Sequence, residues 1–370
     1  MKLTLDRSAL LKALEPVQRI IERRNTIPIL GNVLLRADAA GLVLTGTDLD
    51  IELRTSTPAE VETPGALTLP AGTFYDIVRK LPEGSQVAIE QAAAGERATV
   101  RAGRSRFQVA SLPESDFPDI TAGEPSHRFA LTAKALLGLI EATQFAISTE
   151  ETRYYLNGVH IHDAGEGQMA AVATDGHRLA RIHLPLPEGA AGMPAIIVPR
   201  KPIAEIGRLV AKGGDAMVEI ELSATKIRLI VDGARLTSKL IDGTFPDYQR
   251  VIPSGNDKRA TIDTDALARA VDRVATISSE RGRAVKLSLA DGAMALSVTN
   301  PDAGEAREEI DIDYDGPPIE IGFNARYLQD TLAVLGGDTV LMKLADPGSP
   351  TILMSRDGAA LLTVLMPMRV

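Results

Sequence analysis

The chain has 370 residues, 45% of them apolar and 24% charged, with no cysteine and a formal net charge of −9. This is ordinary globular usage with core enough for several domains; it excludes disulfides and thiolate metal sites, makes a cytosolic location the expectation, and argues at first against a nucleic-acid partner, which normally shows as a basic domain. The longest apolar stretch, Gly358 to Met368, is shorter than the roughly 18 residues of a spanning helix, and the opening MKLTLDRSALLKALE carries no signal-peptide core, so no membrane partner is expected.

Apolar residues at Leu10, Leu11 and Leu14 predict a first helix, and the alternating run NVLLRADAAGLVLTGTDLDIEL after it predicts strands. The phrase LPAGTFYDIVRKLPEG, with Leu69, Pro70, Phe74, Val78 and Leu81, then steps from a strand end into a short amphipathic helix that stops at glycine. The same order returns. Leu136, Leu137 and Ile140 open a helix, GVHIHDAGEGQMAAVATDGHRLARIHL reads as strands, and VPRKPIAEIGRLVAKGG puts Val198, Pro199, Ile203, Gly207 and Val210 where the first phrase has its anchors. A third pass runs from Leu267, Ala268 and Val271 through AVKLSLADGAMALSVTN to FNARYLQDTLAVLGG, with Phe323, Asn324, Leu328, Leu332 and Leu335. The first two passes also close alike, Phe117, Pro118 and Asp119 matching Phe245, Pro246 and Asp247, whereas the third closes on MPMRV.

Copies on the order of 120 residues are whole domains and not solenoid turns. Turn-rich stretches at Gly123 to Ser126 and at Ser254 to Lys258 place the boundaries, giving domains 1–124, 125–254 and 255–370. The fold class is therefore α+β, each domain expected as a sheet with helices on one side. The predicted helical segments together carry +7, which leaves −16 on the rest of the chain. Domains of this size are roughly 35 Å wide, and six of them in a ring leave a hole of about the same width, where three leave almost none. Duplex DNA is roughly 20 Å across. Two copies joined head to tail, helices lining the hole and sheets outside, would make such a pseudo-six-fold ring with no free sheet edge.

The phrases TIPILGNVLL (Thr26 to Leu35), RYYLNGVHI (Arg153 to Ile161), ATDGHRLA (Ala173 to Ala180), FPDYQRVIP (Phe245 to Pro253) and the closing MPMRV carry a resemblance over the whole length. The chain resembles the bacterial DNA polymerase III beta subunits, the replication sliding clamps. That resemblance implies three tandem clamp domains and a homodimeric ring around duplex DNA. It also implies tethering of replicative and translesion polymerases, loading by a clamp loader, binding of other clamp-binding-motif proteins, and neither catalysis, metal nor cofactor.

Carried over residue by residue, the resemblance implies a partner-peptide pocket. Its middle-domain side is Leu156, Thr174, Gly176, His177, Arg178, Leu179, Pro246 and Val251; its C-terminal side is Val364, Met366, Pro367, Met368, Arg369 and Val370. Unbranched, polarizable Met side chains suit a surface that receives Leu and Phe from several peptides. Val370 stands where the family usually has leucine, a smaller wall expected to tune affinity. DNA contacts are implied at Arg24, Arg153, Tyr154 and Tyr155, with Arg200 and Lys201 as further candidates, residue types that offer phosphate hydrogen bonds and stacking faces. The dimer interface is implied at Ile77, Phe107 and Val109 against Thr276 and Ile277.

An enzymatic alternative, a metal-dependent phosphohydrolase, rests on His160, His162, His177 and His183 lying in one short region with Asp163 and Asp175. It is remote, because the equivalent strand of the third repeat offers Ser288, Thr299 and Asn300, and no glycine-rich phosphate loop or nucleophile elbow occurs.

Overall fold

The computed structural model describes residues 1–22, 25–91, 95–120, 123–278, 284–355 and 360–369. The chain forms two compact units, Met1–Ala133 with Arg208–Leu240, and Lys134–Gly207 with Ile241–Val370.

In the first unit, helix α1 (Arg7–Ile20) starts where Asp6 accepts hydrogen bonds from the Ser8 and Ala9 backbone N–H groups at 2.8 and 3.0 Å, a capping geometry that satisfies otherwise orphaned donors. Leu10, Ala13, Leu14, Val17 and Ile20 are its buried stripe, and burial of each large side chain contributes about 1.5–3 kcal/mol. That stripe lies on strands 41–47 and 51–57, with the Thr55 hydroxyl donating to the Ala13 carbonyl at 2.9 Å. A side chain at Gly46 would bring its Cβ within 2.9 Å of the Val17 carbonyl oxygen, so the glycine sets how closely helix and sheet approach. Helix α2 (Ala71–Lys80) begins directly after Pro70, packs on α1 and buries Phe74 and Val78.

Two sheets complete this unit. One has five strands in the order 60–63, 2–6, 86–90, 97–102, 105–110; the other has eight, in the order 127–132, 217–222, 226–231, 234–239, 51–57, 41–47, 32–38, 65–70. Strand 234–239 belongs to the second sequence repeat and 51–57 to the first, and they pair antiparallel with Ser238 opposite Ile51 and Leu236 opposite Leu53.

The second unit repeats the arrangement. Helices α3 (Ala133–Thr143) and α4 (Arg200–Val210) come from the second repeat. Helices α5 (Thr264–Ala275) and α6 (Ala325–Leu335) come from the third, pack on one another, and are capped by Asp263 and Asn324. An eight-stranded sheet runs 196–199, 158–165, 168–174, 178–185, 361–365, 351–355, 339–344, 258–263, and a four-stranded sheet runs 304–311, 293–300, 284–290, 319–324. Here strand 178–185 of the second repeat pairs with 361–365 of the third, Arg178 opposite Leu365 and Leu179 opposite Val364.

The expected helix and strand order is therefore present in each repeat, but the expectation of one sheet per repeat is corrected: strands of consecutive repeats close into shared sheets. An isolated repeat would leave strand 51–57 or 361–365 as a raw hydrogen-bonding edge, and pairing across the repeat boundary removes it. The helices are also shorter than their sequence spans. Only α6 stops at a glycine, Gly336 at φ 57°, while α2 and α4 end four and three residues before theirs, Gly84 and Gly213. No helix among the described residues is long and apolar enough to cross a membrane.

Candidate partner-binding site

The phrase ATDGHR folds as a tight turn between strands 168–174 and 178–185. Thr174 Oγ1 donates to the Arg178 carbonyl at 2.7 Å and accepts from the Gly176 N–H at 3.1 Å, while Asp175 Oδ1 accepts from the His177 and Arg178 N–H groups at 2.9 and 3.0 Å. Asp side chains that bond their own backbone two and three residues on fix such turns. Gly176 sits at φ +88°, a left-handed position, and a Cβ there would meet the Arg153 guanidinium at 2.5 Å.

Arg178, with only 10% of its side chain exposed, anchors the turn from below. Nε donates to Asp175 Oδ2 at 3.1 Å and Nη1 to Asp330 Oδ2 at 2.6 Å, and the guanidinium lies 4.3 Å from the centre of the Tyr327 ring and 5.2 Å from that of Phe145. This charge is spent inside the protein, so Arg178 serves as a strut between the turn and α6. His177 stacks on Tyr327 with ring centres 6.2 Å apart. Its carbonyl accepts the Met366 N–H at 2.8 Å, which draws the chain after strand 361–365 alongside the turn. Two residues on, the Met368 N–H donates to the Gly322 carbonyl at 2.8 Å.

The pairing of 178–185 with 361–365 puts Leu179 and Val364 side by side in a buried cluster with Leu156, Val172, Ile197, Phe245 and Tyr248. Large apolar side chains left open in the same unit are Val251 at 53% exposure, Met366 at 39% and Met368 at 36%, with Tyr154. An apolar floor with exposed methionines beside it is what a docking site for short peptides requires. Of the predicted pocket residues, Leu156, Leu179 and Val364 form the floor. Thr174, Gly176 and His177 shape the turn, Pro246 and Val251 lie exposed on a covering segment, residues 245–251, whose Phe245 and Tyr248 pack into the cluster, and Pro367 and Arg369 continue the tail. Val370 lies outside the described residues.

The covering segment is pinned by aromatic stacking. Phe245 lies parallel to His160 with centres 4.6 Å apart, His160 stacks on His162 at 4.9 Å, and the Tyr248 hydroxyl is 3.1 Å from His162 Nε2. His162 Nδ1 lies 2.9 Å from the Asp163 carbonyl, so Nδ1 carries the proton and Nε2 accepts from Tyr248. Burial, then the neighbouring His162, pushes the His160 imidazole down to about 4, against the Ile196 carbonyl that favours its protonated form. These contacts lend the metal-site alternative no support. Asp163 is engaged by the Gly165 and Gly192 N–H groups, Asp175 by its own turn, and among the described residues no three His, Asp or Glu side chains converge as a metal-ligand set.

The predicted DNA-contact loop is brought to the same place. Arg153 donates to Glu150 and to the Asp175 carbonyl, holding the Glu150 carboxyl below its usual range through that hydrogen bond, while Tyr154 and Tyr155 meet edge to face at 5.8 Å. Arg200 is exposed and Lys201 half-buried at the start of α4; Arg24 lies outside the described residues. For the dimer contacts, Phe107 (36% exposed) and buried Val109 lie on strand 105–110, an edge of the five-stranded sheet. Ile77 is half-buried on α2, while exposed Thr276 and half-buried Ile277 follow α5. Sequence reading missed Phe145, Asp330 and Tyr327, which grip Arg178, and the roles of Phe245 and Tyr248. The FPD repeat marked Phe245, but nothing in the sequence pairs Tyr327 with Arg178 across 149 positions.

Three repeated α+β modules joined by shared sheets, with an apolar cluster where the second meets the third, define a clamp-type scaffold. Family models agree: the N-terminal, central and C-terminal domains of the DNA polymerase III beta subunit match residues 1–121, 130–247 and 249–369. The chain is 51% identical over 373 residues to the beta sliding clamp of Caulobacter vibrioides strain NA1000 / CB15N, and 40% identical over 370 residues to that of Escherichia coli K12, covering 100% of each chain in both cases. A crystal structure of a sliding clamp from Bartonella birtlesii bound to griselimycin superposes with a TM-score of 0.97 at 46% identity, covering 100% of both chains. The chain belongs to the DNA polymerase III beta-subunit family.

Proposed function

We propose that the chain is a DNA polymerase processivity factor: a homodimeric ring, acting as a scaffold without catalysis in the cytoplasm, that slides on duplex DNA and holds polymerases, a clamp loader and other motif-bearing proteins through the site around Leu179, Val364 and Met366. The observation that carries it is the tail of the third repeat hydrogen-bonded to the ATDGHR turn of the second, with Met366 and Met368 exposed beside an apolar floor. Domain boundaries near residues 124 and 254 are proposed from the repeats, beside family matches that span 1–121, 130–247 and 249–369.

Ring closure is supported by the free sheet edges. Strand 105–110 and its neighbour 97–102 with their connecting turn carry Arg97, Arg101, Arg104 and Arg106, whereas the edge strand Gly304–Asp311 carries Glu305, Glu308, Glu309 and Asp311 against Arg307. A basic edge of one copy meeting the acidic edge of another head to tail is complementary, with Phe107, Val109 and Ile77 facing Thr276 and Ile277. The helices α1 to α6 carry +5 against −14 elsewhere, which suits weak, sequence-blind phosphate contacts from helices lining a hole. Arg24, Arg153, Tyr154, Tyr155, Arg200 and Lys201 are the proposed DNA contacts.

Loading onto nicked circular plasmid followed by gel filtration tests the ring: protein is expected to co-elute with the circle and to be lost on linearisation. Equal retention on both forms would sink the topological reading. Deleting residues 366–370 is expected to abolish binding of polymerase-type peptides and leave the dimer intact by ultracentrifugation.

A further inference from the structure

Arg181 lies two residues beyond Leu179 on strand Arg178–Pro185, hence on the same face, opposite Val172 on one side and Leu362 on the other. Val172 belongs to the apolar floor and Leu362 packs against it. Yet Arg181 Nε is buried with no hydrogen-bond partner, and no carboxylate pairs with its guanidinium among the described residues. Arg178, three positions earlier and on the opposite face of the strand, has two carboxylates and two aromatic rings around it. Arg228 also has an unbonded Nε, but its Nη1 reaches Glu221 at 2.8 Å. The charge of Arg181 is felt by His183, whose basicity is lowered by burial first and by Arg181 second, and by Tyr248, whose phenol is raised by burial with Arg181 opposing and Asp247 adding.

A guanidinium is charged at every accessible pH, and a partly buried one without a counterion is costly unless something arrives to pair with it. We infer that Arg181 recognises a carboxylate side chain that a partner peptide carries next to the apolar residues seated on Leu179 and Val364. The inference rests on the peptide-pocket reading above. Two residues of strand separate Leu179 from Arg181 by about 7 Å, within reach of an acidic side chain from a backbone passing over the floor. The covering segment is pinned to strand 158–165 through Phe245 on His160 and Tyr248 on His162, which hinders a peptide main chain from running on beneath it and favours a single side chain reaching in. A planar guanidinium binds a carboxylate through two parallel N–H donors, so the contact selects acid over amide and not merely charge over neutrality.

Fluorescence anisotropy with the full chain tests this, using labelled nonapeptides with Leu and Phe anchors. They carry Glu or Gln at each flanking or intervening position in turn, each with a free or an amidated C-terminus. At one position Glu is expected to bind at least about tenfold tighter than Gln. In Arg181→Met that ratio is expected to fall below about twofold, and in Arg181→Lys to lie between. Equal Glu and Gln affinities at every position in the wild type, or a ratio unchanged in Arg181→Met, would overturn the assignment. A preference that follows the free terminus and disappears on amidation would overturn it in favour of a terminal carboxylate. Deletion of residues 366–370 separates the two levels: peptides that bind the deletion variant undiminished refute the pocket, whereas binding that requires the tail but ignores Glu against Gln refutes Arg181 alone.

Discussion

The first unit contains a second copy of the ATDGHR turn, and the two differ in the side chains carried on one hydrogen-bonded frame. In the first repeat, Thr47 Oγ1 donates to the Ile51 carbonyl and accepts from the Leu49 N–H, and Asp48 Oδ1 accepts from the N–H groups of Asp50 and Ile51. Thr174, Asp175, Gly176, His177 and Arg178 repeat that pattern position by position. The strand beyond each turn pairs with a strand of the following repeat, and a residue just past that strand's pairing closes on the turn. In the first unit it is Lys239, whose N–H bonds the Asp50 carbonyl at 2.8 Å and whose Nζ pairs with Asp50 Oδ1 at 3.0 Å. In the second it is Met366, bonded through its N–H to the His177 carbonyl and leaving its thioether exposed. One frame is thus sealed by an ion pair and the other left open and apolar, so the scaffold is generic and the site lies in the residues hung on it.

The strongest way to break the comparison is Arg178→Met, which imitates the apolar Ile51 of the first turn. Removing the guanidinium strands Asp175 and Asp330, and because Asp330 is partly solvated we expect a loss of about 2–3 kcal/mol in urea unfolding of the second unit. A stability within 0.5 kcal/mol of wild type, on the order of a neutral surface change, would show that the strut is dispensable.

Acid sharpens the contrast next. By register against Pro70 and Pro199, His160 stands where the first unit has buried Leu34. Its folded value of about 4 lies below the ordinary 6.5, so the unfolded chain binds the extra proton first. The neutral form's stability is fully present above pH 6.5 and is lost as pH falls toward 4, on the order of 3 kcal/mol in all. Denaturation at pH 7 and pH 4 should show that loss, and His160→Leu should shrink it; equal pH dependence in both proteins refutes the assignment.

Importing the first unit's lysine, Met366→Lys, should weaken peptide binding by roughly 10- to 100-fold in anisotropy, the range for a charge placed in an apolar anchor site. Adding His177→Asp should rebuild the ion pair without recovering peptide affinity. Recovery would mean that binding depends on the frame and not on the open thioether. The smallest effect concerns Leu49, a leucine at φ +80° where the second turn has glycine. Leu49→Gly should stabilise the first unit by about 1 kcal/mol, since only glycine adopts that conformation without strain, as read by thermal unfolding.

Much of this was legible in the sequence, because amphipathic helices and turn phrases are local. The helices follow from apolar periodicity, and the caps at Asp6, Asp263 and Asn324 and the TDG turn, though not read from the sequence above, depend on residues that act within four positions. The pocket floor was legible only through family resemblance: Leu179 and Val364 become neighbours through a strand pairing 185 positions apart. The shared sheets, the grip of Tyr327 and Asp330 on Arg178, and the histidine stack under Phe245 were not legible, since each depends on registers that no local pattern sets.

Those shared sheets put folding and repetition out of phase. The compact units run from residue 1 to 133 with 208–240, and from 134 to 207 with 241–370, so each borrows part of the middle repeat. Dissecting the protein at the repeat boundaries, the natural choice from sequence, would hand every fragment an unsatisfied ladder and invite precipitation. Fragments divided there should become soluble only on mixing with their neighbours, the middle repeat acting as a mortise cut to receive both.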